Sequence, residues 1–220
     1  MTWRKATHRI SPVMNAALGT LGDVADVWFG DDISGERDLR LVGDVRGKRV
    51  LELGLPPGPV NSVALAQAGA RVIAVDNSLD RIAAGRRAAE TAGVRVEFQH
   101  AELFQLGFAT SSSLDLVLCV ERLTSVDDVD RLLRQVHRVL KPEAAFVAVL
   151  EHPAHAMFDG DEPIARRRYG TATNLTIGDL CMSLQRSNFA LDVLYELYAK
   201  SKPRAVVPCT LAVRARKLGS

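Results

Sequence analysis

No apolar run in this 220-residue chain approaches the roughly 20 residues that a bilayer-spanning helix needs, which argues against a membrane segment. Cysteine is sparse: Cys119, Cys181 and Cys209 are an odd set with no close spacing. That pattern argues against a disulfide scaffold or a zinc site and fits a reducing cytoplasm. An excess of charge of one sign is missing too, because 28 basic and 26 acidic residues leave a net +2. With those charges interspersed, no global field marks nucleic acid or a membrane surface as a partner. The run Arg166, Arg167, Arg168 has no aromatic platform for stacking bases, and reads as a solvated stretch or a contact for an acidic substrate group. Internal repeats and low-complexity tracts are absent. What is present is 47% apolar content, ample for one core.

The chain is organised around residues 48–76. Residues 48–53 are a short apolar run with Glu52 near its end, and they break into a loop holding Gly54, Pro56, Pro57, Gly58 and Pro59. Asn61 is placed to cap a helix over residues 63–68, and Gly69 to end it in a left-handed conformation. Residues 71–75 read as a second strand, closed by Asp76. A strand, crossover helix and parallel strand of this length form a βαβ unit, whose ligands sit outside the carboxyl ends of the strands.

The loop narrows the ligand. Three of its positions are prolines, which lack the N–H groups of a phosphate cradle, and Glu52 repels a pyrophosphate. A nucleoside carrying a cation suits the place better. Glu52 would sit beside an ammonium group and Asp76 would accept from a ribose diol, each charge-assisted bond contributing roughly 1.5–3 kcal/mol. S-adenosylmethionine has those groups.

These residues resemble the class I S-adenosylmethionine-dependent methyltransferases of the small-molecule type. The family's first motif, an acidic residue and then glycines at alternate positions, is met by Glu52, Gly54 and Gly58, with Pro56 where the second glycine is expected. Glycine there lets the backbone approach the methionine part of the cofactor, so Pro56 is a departure. The resemblance assigns Asp76 to the ribose and Glu102 to the neighbourhood of the adenine. It continues through residues 113–153, where a Lys141-Pro142 turn precedes another strand. The cofactor-binding candidates are Glu52, Gly54, Gly58, Asp76, its neighbour Asn77, Glu102 and Cys119. Cys119 is included because residues 119–122 open onto the same rim.

The fold so implied is α/β: a Rossmann-like, doubly wound, seven-stranded sheet, mostly parallel, with a C-terminal antiparallel hairpin and an N-terminal helical extension. Residues 1–45 are expected to be the extension or lid and residues 46–220 the methyltransferase domain. Ser11 and Pro12 start a helical pattern running to Trp28, and residues 36–42 read as a second short helix. Trp3, Trp28 and Phe29 are either lid residues or pins that hold the extension to the core. Further helices are expected over residues 78–92, 126–140 and 176–188. Strands are expected over residues 94–98, 114–120, 145–150, 191–198 and 205–213, with the basic residues 214–217 in solvent.

The fifth strand ends in Glu151, His152, Pro153, Ala154, His155, and residues 152–170 form a long connection able to wall a pocket for a small-molecule acceptor. Methyl transfer draws mainly on alignment, and a general base adds about 10²–10⁴-fold when the nucleophile carries a proton. Imidazole suits that role at neutral pH, so His152 and His155 are the catalytic or substrate-contact candidates. The acceptor atom is oxygen, nitrogen or carbon, and no sequence feature fixes the oligomeric state. Two other classes stay open: a non-catalytic binding or regulatory member of the fold whose loop decayed at Pro56, and an NAD(P)-dependent oxidoreductase, opposed by Glu52 and the prolines.

Overall fold

The structure is a computed structural model that describes residues 25–160 and 164–219. Trp3 and most of the helix expected from Ser11 lie outside the described residues, and residues 25–29, where that helix would end, are not helical. Five strands run parallel: β1 (Arg49–Leu53), β2 (Arg71–Asp76), β3 (Val96–His100), β4 (Leu114–Val120) and β5 (Leu140–Glu151). β7 (Thr210–Lys217) lies between β5 and β6 (Phe189–Leu197), antiparallel to both, so the order is β3-β2-β1-β4-β5-β7-β6. The helices are α1 (Glu36–Leu39), α2 (Asn61–Gln67), α3 (Leu79–Thr91), α4 (Val129–Val139) and α5 (Ile177–Arg186). The expected seven-stranded α/β sheet with its antiparallel C-terminal strands is present. Among the described residues no helix is long and apolar enough to cross a membrane.

The sheet is covered on both faces, which is why β4 is apolar at every position but Asp115. On one face Leu132, Leu133 and Val136 of α4 and Leu180 and Leu184 of α5 pack against Leu51, Val117 and Phe146. On the other, Leu65 of α2 packs together with Val27, Phe29, Leu41 and Val42 against Val50, Leu116 and Val147. Each such fully buried side chain contributes roughly 1.5–3 kcal/mol. Side-chain caps set three helix starts: Ser78 for α3, Asp128 for α4, and a Thr176–Asp179 capping box for α5.

Two segments depart from the sequence expectations. The helix expected over residues 36–42 stops at Leu39, where Arg40 turns left-handed (φ 50°). The buried Glu36 carboxylate instead accepts from the N–H groups of Leu41 (3.0 Å), Val42 (3.0 Å) and Gly43 (2.7 Å), supplying the partners that a longer helix would have given them. The C-terminal basic residues are not in solvent but in β7. Arg214 and Arg216 pair with Asp192 of β6 at 3.1 and 3.0 Å, and buried Lys217 donates to the Leu140 carbonyl at 2.9 Å. Long basic side chains satisfy a strand face when carboxylates and carbonyls lie across from them.

Candidate cofactor and acceptor site

Glu52 is the penultimate residue of β1 and is buried. Its Oε2 accepts from Ser62 N–H at 2.7 Å, while Oε1 is buried without a hydrogen-bond partner among the described residues. Burial pushes the carboxyl up to about 7, and the negative charge of Asp76 adds to the shift.

Gly54 opens the loop with φ +80°, a conformation that side chains rarely adopt. A Cβ there would lie 2.6 Å from both Cβ and Cγ of Arg122, so the Arg122 stem lies directly over the Gly54 backbone. Arg122 Nε sits 3.6 Å from Asp76 Oδ2, too long for a hydrogen bond, and it is buried with no other acceptor among the described residues. Asp76 is itself fully buried at the end of β2. It accepts from Leu55 N–H (2.8 Å), Ser78 N–H (2.8 Å) and Arg81 Nη1 (3.2 and 3.3 Å). The expectation that Asp76 offers open lone pairs to a ribose therefore needs amendment, because protein donors already surround the carboxylate.

The far end of the loop meets the N-terminal segment. A Cβ on Gly58 would lie 3.1 Å from Trp28 Cζ2, so the indole covers this glycine. Asn61 does not cap α2. The Ncap is Val60, and the Asn61 amide instead accepts from Trp28 N–H at 2.8 Å and donates to Trp28 C=O at 3.0 Å. Of the three aromatics expected as lid or pin, Trp3 lies outside the described residues, Trp28 lies over the loop and Phe29 is buried in the core.

Beyond Asp76, Asn77 Nδ2 donates to Glu102 Oε2 at 3.2 Å, bringing these two candidates together outside the ends of β2 and β3. His100 Nε2 lies 3.1 Å from the Asn77 carbonyl. Cys119 is not on the rim: its side chain is in the core, where burial pushes the thiol up to about 12. In a strand covered on both faces each side chain turns into a core, so position near the strand end alone misplaces this one.

At the end of β5 the two histidines separate. His152 is buried, and its Nδ1 accepts from Ala154 N–H at 3.1 Å, so Nε2 carries the proton and donates to Glu196 Oε1 at 2.9 Å. Both ring nitrogens are engaged, which leaves His152 as a brace of the His-Pro turn. His155 is 43% exposed, and its Nδ1 lies 3.0 Å from Glu151 Oε1. It borders a cavity of about 690 Å³, also lined by Phe158, Lys202, Val207 and Cys209. A second cavity that it borders, of about 380 Å³, is lined by Phe29, Glu121, Thr124, Glu151 and Thr210. Burial pushes the Glu121 carboxyl up, as do the nearby charges of Asp31 and Glu151.

The residues present fit an S-adenosyl nucleoside in kind. The spare buried oxygen of Glu52 suits an ammonium group, and Asn77 with Glu102 offers donors and acceptors beside an adenine. Asp76 suits a ribose diol once the arginines on it give way. Sequence reasoning missed Arg122 and Asn61 in these roles. The one signal for Arg122 is its place just past the apolar run of β4, where a charged side chain must turn toward the rim.

A family described as a methyltransferase domain matches residues 51–148. A ubiquinone biosynthesis O-methyltransferase of Azorhizobium caulinodans is 31% identical over 64% of this chain and 51% of its own length. One from Hahella chejuensis is 31% identical over 68% of each chain. The crystal structure of an S-adenosylmethionine-dependent methyltransferase from Mesorhizobium loti superposes with a TM-score of 0.65 and 26% identity, covering 82% of this chain and 96% of that one. The chain thus spans about half the length of the Azorhizobium relative. With the ordered series Glu52, Asp76, Glu102 on this sheet and these matches beside it, the chain belongs to the class I S-adenosylmethionine-dependent methyltransferase family.

Proposed function

We propose that this protein is an S-adenosylmethionine-dependent methyltransferase that methylates a hydroxyl oxygen of a small molecule, with residues 46–220 as the catalytic domain and residues 1–45 as an extension over its cofactor loop. The observation that carries the reading is Glu52 near the end of β1, buried with one oxygen unpartnered among the described residues, beside Asp76 at the end of β2. Glu52 would take the ammonium group, Asp76 the ribose, and Asn77 and Glu102 the adenine, with the loop from Gly54 to Gly58 under the methionine part. The cofactor supplies a methyl group made electrophilic by its sulfonium.

The acceptor would sit at the end of β5, a reading supported by the cavities of about 690 and 380 Å³ that both border His155. With its Nδ1–H directed to Glu151, His155 presents Nε2 as the proton acceptor for the substrate hydroxyl. The choice of oxygen is supported by the names of the Azorhizobium and Hahella relatives, both O-methyltransferases. A cytoplasmic location and the absence of a nucleic-acid or membrane partner are part of the same reading, supported by balanced charge and by free cysteines at 119, 181 and 209.

A second reading has one observation in its favour. Arg122 over Gly54 and against Asp76, with prolines in the loop, suits a non-catalytic member of the fold. Methyl transfer from labelled S-adenosylmethionine to a panel of small hydroxylated aromatics separates the two. Labelled product with matching S-adenosylhomocysteine release supports the enzyme. A folded chain that binds neither S-adenosylmethionine nor S-adenosylhomocysteine, and so releases no product, supports the second reading.

A further inference from the structure

Gly54 and Asp76 both belong to the cofactor site read above, and a single side chain lies against both. The Arg122 stem lies so close over Gly54 that a Cβ there would stand 2.6 Å from two of its carbons. Its Nε reaches to 3.6 Å from Asp76 Oδ2. Only 14% of the Arg122 side chain is exposed, so it fills the cleft rather than lying across its mouth. Glu121, immediately before it, has φ +57°, an uncommon conformation for glutamate that turns the following side chain back over β1.

We propose that Arg122 is an internal competitor of the cofactor: its guanidinium holds Asp76 and its stem covers Gly54, so a nucleoside binds by displacing it. This rests on the cofactor reading above. The arrangement is suited to exchange. Arg122 Nε has no hydrogen-bond acceptor among the described residues, and its attraction to Asp76 is charge at a distance, whereas ribose hydroxyls would donate directly to the carboxylate. Asp76 keeps Leu55 N–H and Ser78 N–H when Arg122 leaves, so the carboxylate is never stripped. Arg81, its other arginine, is 37% exposed and swings into water without crossing the core.

The exchange also selects the incoming ligand. Glu52 and Asp76 stand close enough for their charges to interact, and Arg122 is the buried cation between the two strand ends. A ligand that removes it must bring positive charge of its own, as a nucleoside with a sulfonium and an ammonium group does. Arg122 therefore sets cofactor affinity and favours a cationic nucleoside over a neutral one.

The test is calorimetric titration of the wild type and R122M with S-adenosylmethionine and S-adenosylhomocysteine. Methionine keeps a flexible apolar stem over Gly54 and removes the charge. R122Q is a second neutral variant should R122M fail to fold, and R122K retains the charge. Expected is at least tenfold tighter binding by the neutral variants, with R122K close to wild type. Equal or weaker binding by a folded R122M or R122Q overturns the proposal and leaves the cofactor reading standing. R122K binding as tightly as R122M also overturns it, because the pairing with Asp76 would then not be the cause. If neither wild type nor the neutral variants bind either nucleoside, the cofactor reading falls and this proposal with it.

Discussion

The side-chain amide of Asn61 grips the backbone of Trp28 from both sides, accepting from its N–H at 2.8 Å and donating to its C=O at 3.0 Å. This pair joins the N-terminal segment to the start of α2 across 33 residues of sequence, and it holds the Trp28 indole over Gly58. Replacing Asn61 by alanine leaves a partly buried N–H and C=O without partners. We expect N61A to lose about 1–3 kcal/mol in urea unfolding and to speed amide exchange at Trp28. Unchanged exchange there would show that the grip does not hold the segment.

Gly54→Ala should be costly for two separable reasons. The left-handed backbone at φ +80° and the Cβ position 2.6 Å from Arg122 together predict a loss of roughly 2–4 kcal/mol. The steric part should return in the double variant G54A/R122A, giving a coupling of about 1 kcal/mol or more in a double-mutant cycle read by chemical denaturation. Additive losses would mean that Arg122 does not press on Gly54.

The two histidines should behave differently. H155A is expected to lower methyl transfer about 10²–10⁴-fold with little change in melting temperature, since His155 is half exposed and faces the cavities. H152A is expected to cost about 1–3 kcal/mol of stability, because it strips the partly buried Ala154 N–H of its acceptor. Rates on a productive acceptor and thermal melts of both variants check this pair. The reverse pattern would move the base to His152.

Glu52 predicts a pH dependence of stability. Its carboxyl is raised from 4.5 to about 7 in the folded chain, so folding favours its protonated form. Its contribution is fully present below about pH 4.5 and is lost as pH rises through about 7, a change of roughly 3 kcal/mol. Glu52→Gln should remove that slope. Denaturation midpoints for wild type and E52Q between pH 5 and pH 8 should converge at the acid end, with E52Q the more stable at pH 8. Parallel curves would mean that Glu52 does not titrate in this range.

The architecture was legible because its signals are local: apolar runs of strand length, an acidic residue at or next to the end of the first two, Gly69 turning left-handed after α2, and Thr176 at the start of α5. The βαβ core and the sheet order of a known family follow from that series. The site was legible at the level of which strand ends converge. It was not legible where a side chain answers to a distant partner. Nothing local tells that Glu121 takes a positive φ and sends Arg122 onto Gly54, or that Asn61 reaches Trp28 instead of capping its own helix. Cys119 shows another limit: in a strand buried on both faces, alternation no longer distinguishes core from rim. Basic residues 214–217 show a third, since composition reads as tail what pairing with Asp192 and the Leu140 carbonyl makes a strand.

The most direct test of the central claim is calorimetric titration of the purified wild-type chain with S-adenosylmethionine and S-adenosylhomocysteine, with NAD as the control. Binding of the two S-adenosyl nucleosides with Kd near 1 μM or tens of micromolar, about −6 to −8 kcal/mol, and none of NAD, is the predicted result. A folded chain that binds NAD, or that binds none of the three, would contradict the account of Glu52 and Asp76 as a cofactor site.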